Sequence, residues 1–398
     1  MDADVIVVGA GAAGLACARD LADGGADVLV VEARDRIGGR VHTLRGFGNE
    51  LIEIGALVIH GEHAATIDIV RDAGLTLGPP RWTAPGETFL SVDGELRPAK
   101  ELEGWWGLEH EVGRLGGPDV PLRRFLIDAG WPDLRRAFAE EVFAQIWAAD
   151  PAILSAEGIA RVERAWTSGY DNLKVREGYD RVMEFLARGL RVDLGRPASK
   201  VSWKRGRVDV DGLTASAAVV SVPPTVFTTM TFDPPLDPNK VEAATAIPLG
   251  PVIRVVAQLS EPAESTGSLI SVGRVGGFWS VGRDLLTVWT AGPSAKRLSG
   301  APPEEIALRA RVAFPWLERD RIDDVVVADW GLEPFSLGAY SYPRVGALDA
   351  PAVLAEPVAS TLFFCGEATC GDVHPATVHG AIESGRRAAV EVAAEHLR

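Results

Sequence analysis

Three glycines at a fixed spacing, Gly9, Gly11 and Gly14, follow a short β-branched run and open an alanine-rich stretch. In that context each has its own task. Gly9 permits a tight turn, Gly11 lets backbone approach a pyrophosphate, and Gly14 lets a helix pack closely on a strand. Amides at the start of the helix, near Ala13, then face the phosphates. Glu32, followed by Ala33, closes the next β-branched run. Its carboxylate can accept hydrogen bonds from both ribose hydroxyls and disfavours a 2′-phosphate. This is the chemistry of gripping a dinucleotide, and by itself it does not choose between NAD and FAD.

The elements that must position these residues are legible around them. Residues 4–8 and 27–31 read as strands and Ala12 to Ala22 as a helix, a βαβ unit. Asp93-Gly94 and Asp211-Gly212 lie between short alternating runs and read as hairpin turns. From Pro98 to Asp180 the pattern turns helical, with tryptophans at 105, 106, 131, 147 and 166 whose plain reading is core packing. Strands are expected over Val252–Leu259 and Leu285–Thr290, and a helix near Glu304–Ala313. A final strand, Thr361 to Cys365, precedes a helix with apolar residues at helical spacing. The last elements look like the first, so the domains are expected to be discontinuous in sequence.

Composition narrows the class. At 398 residues the chain is long enough for two or three domains, and 47% hydrophobic with 24% charged residues is ordinary for a globular protein. The net charge of −15, with no basic block, argues against nucleic acid and anionic membranes as partners. No signal-like or membrane-spanning apolar run is present, so the expectation is a soluble, cytoplasmic protein. Cys17, Cys365 and Cys370 have no paired spacing and fit a reducing compartment. His60 and His63, spaced to share a helix face, and His374 with His379 have no third ligand in reach, so no metal is expected.

The loop Glu32-Ala-Arg-Asp-Arg-Ile-Gly-Gly-Arg40 is basic and glycine-rich, and the stretch from Asp4 to Thr43 resembles the FAD-binding start of the flavin amine oxidase superfamily. Further segments are similar to that family: Glu53–Gly61 beneath the flavin ring, Val220–Pro224 with Phe232–Leu236, Trp330–Ser336 with Gly338–Tyr342, and Phe363–Thr369 with Ala376–Ala381. The resemblance implies an α/β protein with a Rossmann-type FAD-binding domain (1–57, 176–222 and 328–398). The second, substrate-binding domain (58–175 and 223–327) has a mixed sheet and a helical insert. It implies that Gly39 and Arg40 approach the pyrophosphate and Arg34 the adenosine end. Gly55, Ala56, Leu57, Ala198, Gly366, Thr377 and Val378 are further cofactor contacts. Glu367 either accepts hydrogen bonds from the ribityl chain or is a carboxylate answering a helix dipole. The helix beginning near Thr377 would aim its positive end at the flavin pyrimidine edge.

On the active face the resemblance places Trp330 near the flavin, Tyr340 as one aromatic wall and Thr377 opposite it; the alternative is that both aromatics are only core. Where several relatives carry a cysteine that bonds the flavin, this sequence has Ala339, so FAD is expected to be noncovalent. Where the family usually has lysine, it has Arg254. Arg254 stabilises reduced flavin, pairs a substrate carboxylate, or is a solvated or structurally paired arginine. His60 is a polar contact above the flavin or a satisfied loop residue. The implied reaction oxidises a small amine to an imine, with oxygen reoxidising the flavin to give hydrogen peroxide. A dehydrogenase or desaturase using another acceptor, and a flavin-bearing binding protein without turnover, are the alternatives.

Overall fold

The computed structural model describes residues 1–47, 50–79, 88–92, 95–98, 108–263, 267–272, 276–282, 284–302, 305 and 322–396. Its centre is a five-stranded sheet in the order Arg191–Asp193, Val28–Val31, Val5–Val8, Ala217–Val220 and Leu362–Phe364, parallel throughout. Unbroken apolar strands suit a sheet covered on both faces. Val5, Val7, Val28, Val30 and Phe363 join one buried cluster with the helices Ala12–Asp23 and Val378–His396; Ile6, Val8, Leu29, Val31 and Phe364 join another on the far face. The alternation follows from the two-residue period of a strand. The C-terminal strand and helix thus complete the layer that the first forty residues begin.

A seven-stranded mixed sheet forms the second layer. It runs Ile322–Asp329, Val252–Leu259, Leu285–Ala291, Gly277–Val281, Gly267–Val272, Thr88–Val92, Glu95–Pro98. Thr88–Val92 and Glu95–Pro98 pair antiparallel as expected of an Asp-Gly hairpin, and so do Arg207–Val210 and Leu213–Ala215; turn residues 93 and 94 lie outside the described residues. The expected helix near Glu304–Ala313 also falls largely outside them.

The helical stretch contains Leu108–Leu115, Leu122–Asp128, Asp133–Trp147 and Ala156–Ala165. Trp131 and Trp147 are buried in its own core and Trp166 packs against it, while Trp105 and Trp106 lie outside the described residues. Helix does not continue to Asp180: Asn172–Val175 is a strand pairing with Ile59–His60 and Leu77–Gly78. That correction extends to His60 and His63. His60 ends a two-residue strand and His63 sits in the loop after it, so they share no helix face. The positive-φ Gly61 between them turns the chain. Residues 224–247, expected with the substrate part, lie against the five-stranded sheet through Phe227, Leu236, Ala244 and Ile247, and the strand Ile322–Asp329 runs across the expected boundary at 328.

Candidate active site

One cavity of about 1780 Å³ runs between the two layers, from the glycine turn to the seven-stranded sheet. At its first end Gly9 has φ +105°, and a Cβ on Gly14 would lie 2.0 Å from Gly9 O, so the turn and the helix contact both need glycine. A Cβ on Gly11 would meet no protein atom within 4 Å; it would project into open cavity. The helix Ala12–Asp23 begins without a side-chain cap, leaving its first amides for a ligand. Glu32, 4% exposed, accepts from Ala10 N at 2.8 Å and Arg34 N at 2.9 Å, which fixes its carboxylate while each oxygen keeps a free lone pair.

The sequence-predicted cofactor contacts Gly9, Gly11, Ala13, Glu32, Ala33, Arg34, Gly39, Arg40, Gly55, Ala56, Leu57, Ala198, Gly366, Glu367, Thr377 and Val378 all line this cavity. Gly14 is the exception, packed behind the turn. Arg34 is held by Glu333 and by Ser336 Oγ at 2.9 Å, and burial pushes its pKa down to about 10. Arg40 donates to Glu367 at 2.7 Å and to Ala339 O at 2.8 Å. Glu367 also accepts from Ser341 Oγ at 2.6 Å and Ala376 N at 3.0 Å, so it ties the pyrophosphate loop to the C-terminal segment. Its acceptors are largely taken by the protein itself. Thr377 caps the final helix, accepting from Gly380 N at 3.0 Å, and its hydroxyl donates to His374 O.

The far wall is the seven-stranded sheet. Strand alternation turns Arg254, Trp289 and Phe278 toward the cavity, and cross-strand register sets them side by side: Arg254 opposite Trp289, Trp289 opposite Phe278. Burial lowers the Arg254 pKa to about 10, and Glu53 partly offsets this. Its Nε is buried without a hydrogen-bond partner, and no ion pair to it occurs among the described residues. No structural pair for Arg254 is therefore found among the described residues. Trp330, 5% exposed, donates from Nε1 to Ile54 O at 2.8 Å. Tyr340 reaches Gln145 O at 3.3 Å, and burial pushes its phenol pKa above the ordinary range. His60 opens onto the cavity with Nδ1 2.7 Å from Asn172 Oδ1; the surrounding protein lowers its pKa and Asn172 partly restores it. The amide oxygen accepts a hydrogen bond from Nδ1–H, leaving Nε2 free.

Trp289 was not singled out by sequence, yet its ring stacks with Tyr340, centroids 6.5 Å apart and planes within 11°. The strand-like run containing it was visible; which face it would present was not. Asn172 carries no sequence signal either, and Ser221 and Ser341 lie inside the family-like segments Val220–Pro224 and Gly338–Tyr342 without a role of their own. Ser221 Oγ donates to Val8 O and Gly9 O and so secures the glycine turn.

A family model for flavin-containing amine oxidoreductases matches residues 12–393. The chain belongs to that family. It is 29% identical over 441 residues to polyamine oxidase 2 of Arabidopsis thaliana, covering 97% of this chain and 87% of that protein. It is 28% identical over 491 residues to lysine-specific histone demethylase 1 homolog 3 of the same plant, covering 98% of this chain but 30% of the relative. For homolog 2 that share is 59%, so the chain spans only part of these two demethylase-like relatives. Its fold matches cyclohexylamine oxidase from Brevibacterium oxydans IH-35A (TM-score 0.84, 22% identity, 100% of both chains). It also matches putrescine oxidase bound to putrescine (TM-score 0.83, 23% identity, 99% of both).

The cofactor is FAD, and the residues present fit it. The open space at Gly11, the carboxylate of Glu32 and the uncapped helix suit a dinucleotide, and the cavity lining contains no cysteine to bond the flavin. Among the described residues no helix is long and apolar enough to cross a membrane.

Proposed function

We infer that this flavoenzyme is an amine oxidase for small amines, taking hydride from the carbon beside a neutral nitrogen. The observation that carries the reading is a single cavity joining the dinucleotide turn to Arg254, Trp289, Trp330, Tyr340 and His60. Bound FAD would supply the hydride acceptor and the route for electrons to oxygen, giving hydrogen peroxide. Glu32 and the first amides of Ala12–Asp23 hold the adenosine side; Arg40 and Glu367 fix the loops flanking the pyrophosphate. Trp289 and Tyr340 orient the amine and exclude water, favouring its neutral form. Arg254 supplies a positive charge where electrons accumulate. The imine product hydrolyses to a carbonyl and an amine. With its three cysteines unpaired, the protein is assigned to a reducing compartment, the cytoplasm.

Arg254 in place of a lysine favours a second reading, a dehydrogenase using an acceptor other than oxygen. Both are tested by anaerobic mixing of the holoprotein with putrescine, cyclohexylamine, an aryl-alkylamine and amino acids, followed by air. Bleaching of the flavin and peroxide on reoxidation are expected. Bleaching with no return of colour in air selects the dehydrogenase; no bleaching with any amine rejects both.

A further inference from the structure

Behind the cavity wall lies a polar cluster that none of the roles above uses. His374 and His379 are 4% and 1% exposed, with ring centroids 4.6 Å apart, and the Trp166 ring packs edge-on to both. Ser168, equally buried, stands between them: its Oγ is 2.9 Å from His374 Nε2 and 3.0 Å from His379 Nε2. His374 Nδ1 is 2.9 Å from Glu383 Oε2, whose side chain is 37% exposed. Toward the cavity, Gly61 and Gly169 line the wall, and a Cβ on Gly61 would lie 2.1 Å from Ser168 O. His60 lines the same wall and its charge bears on His379. His374 itself holds φ +53°, a left-handed conformation that a non-glycine residue adopts under constraint.

The direction of every hydrogen bond in the cluster follows from one backbone group. Thr167 N lies 3.3 Å from His374 Nε2 and can only donate, so that nitrogen carries a lone pair. His374 Nδ1 therefore holds the proton and donates it to Glu383. A second lone pair cannot face Nε2 at 2.9 Å, so Ser168 donates to it; Thr167 Oγ1, at 3.2 Å, is a further neighbour. The Ser168 oxygen then accepts from His379 Nε2–H, which leaves His379 Nδ1 bare. That atom has no hydrogen-bond partner among the described residues. The hydrogen bonds all run one way, from His379 through Ser168 and His374 to Glu383, whose side chain is 37% exposed, and Trp166 and Val378, packed beside His379, line the cavity.

We propose that His379, Ser168, His374 and Glu383 form a proton relay between the cavity and solvent. The relay rests on the amine reading, because an alkylammonium must lose a proton before its C–H bond can deliver hydride. The ammonium N–H bond breaks, and His379 Nδ1, with His60 as its cavity-side neighbour, takes up a proton. The Nε2 proton passes to Ser168, the Ser168 proton to His374 Nε2, and the His374 Nδ1 proton to Glu383, which releases it. One proton enters, one leaves and no electrons move. Forming peroxide from oxygen consumes one proton, so the same chain then runs inward and its tautomers are restored. Burial and the charges of His374 and His60 push the His379 pKa down to about 3, so the ring transmits a proton without storing one. Cys370, whose thiol donates to Gly380 O at 3.0 Å, with Glu367 and Arg387 beside it, Asp372 in the loop before His374 and Glu62 against Gly169 are further ionisable groups around the cluster.

Ser168→Ala and Glu383→Gln break the middle and outer links. In anaerobic stopped-flow reduction of the holoenzyme by putrescine or cyclohexylamine, each is expected to slow reduction about ten-fold at pH 7. Their rates should converge on wild type above about pH 10, where the amine arrives neutral. Equal slowing at every pH, or none, overturns the relay while leaving the amine reading intact. Independently, ¹⁵N-histidine spectra of the wild-type holoprotein are expected to show the Nδ1–H tautomer at His374 and Nε2–H at His379. Either opposite tautomer overturns the relay even if a variant fails to fold. No reduction by either amine defeats the amine reading instead and removes the relay's proton donor.

Discussion

Arg254 is a cation set against the cavity, with its Nε unpartnered and no ion pair to it among the described residues, which makes its replacement informative. Arg254→Met keeps an unbranched chain of similar reach and removes the charge. Burial takes the guanidinium pKa from 12.5 to about 10, so holding that charge costs the folded apoprotein about 3 kcal/mol. The folded pKa lies below the unfolded one, so the cost is present in full below pH 10 and disappears only as pH rises through the unfolded value. At pH 7 the apoprotein of Arg254→Met is therefore expected to be more stable than wild type, with a thermal midpoint raised by about 3 to 5 °C. The flavin potential should move the opposite way, becoming more negative as the stabilising charge is lost. Differential scanning calorimetry of flavin-free protein and a dye-equilibrated potential measure the two quantities. A variant apoprotein no more stable than wild type would refute the unpaired-cation reasoning, since a guanidinium with a real partner destabilises when removed.

Gly14→Ala and Gly11→Ala should part company. The first places a methyl group 2.0 Å from Gly9 O and is expected to lose both flavin and several degrees of stability; the second meets only open cavity and should fold normally while losing flavin. Absorbance at 450 nm against 280 nm, beside circular dichroism, separates them, and full flavin content in Gly11→Ala would contradict its role. Glu367→Gln strips Arg40 of its counter-charge and should weaken FAD binding at least about ten-fold, read by recovery of flavin fluorescence on dilution. Acid should destabilise the fold early. His42 and His379, with pKa values held down to about 4 and about 3 by burial, stay neutral when folded and protonate when unfolded near 6.5. Stability is then lost as pH falls below 6.5, by about 2.5 kcal/mol per pH unit near pH 5, and urea midpoints at pH 7, 6 and 5 measure it. A flat profile between pH 6 and 5 would contradict their buried neutrality.

What was legible in the sequence shares one property: its chemistry is set within a few residues. The glycine turn, Glu32 and the Arg34–Arg40 loop are local devices whose residue types follow from turn geometry and close packing, and the structure gathers them in one cavity. Strand periods were readable for the same reason. The seven-stranded sheet was visible as separate runs, but the register that sets Arg254 beside Trp289 joins residues 35 positions apart, and no local pattern encodes it. His60 was misplaced on a helix because a spacing of three suits a helix as well as a turn, and only the pairing of Ile59–His60 with Asn172–Val175 decides. The Ser168 cluster marks the limit most sharply. The spacing of His374 and His379 in the sequence suggests only a question about metal, since a bridging serine some 200 residues earlier and a backbone amide that fixes the proton direction exist only in three dimensions. Short-range chemistry is written in the chain; the direction in which protons can move is written in its packing.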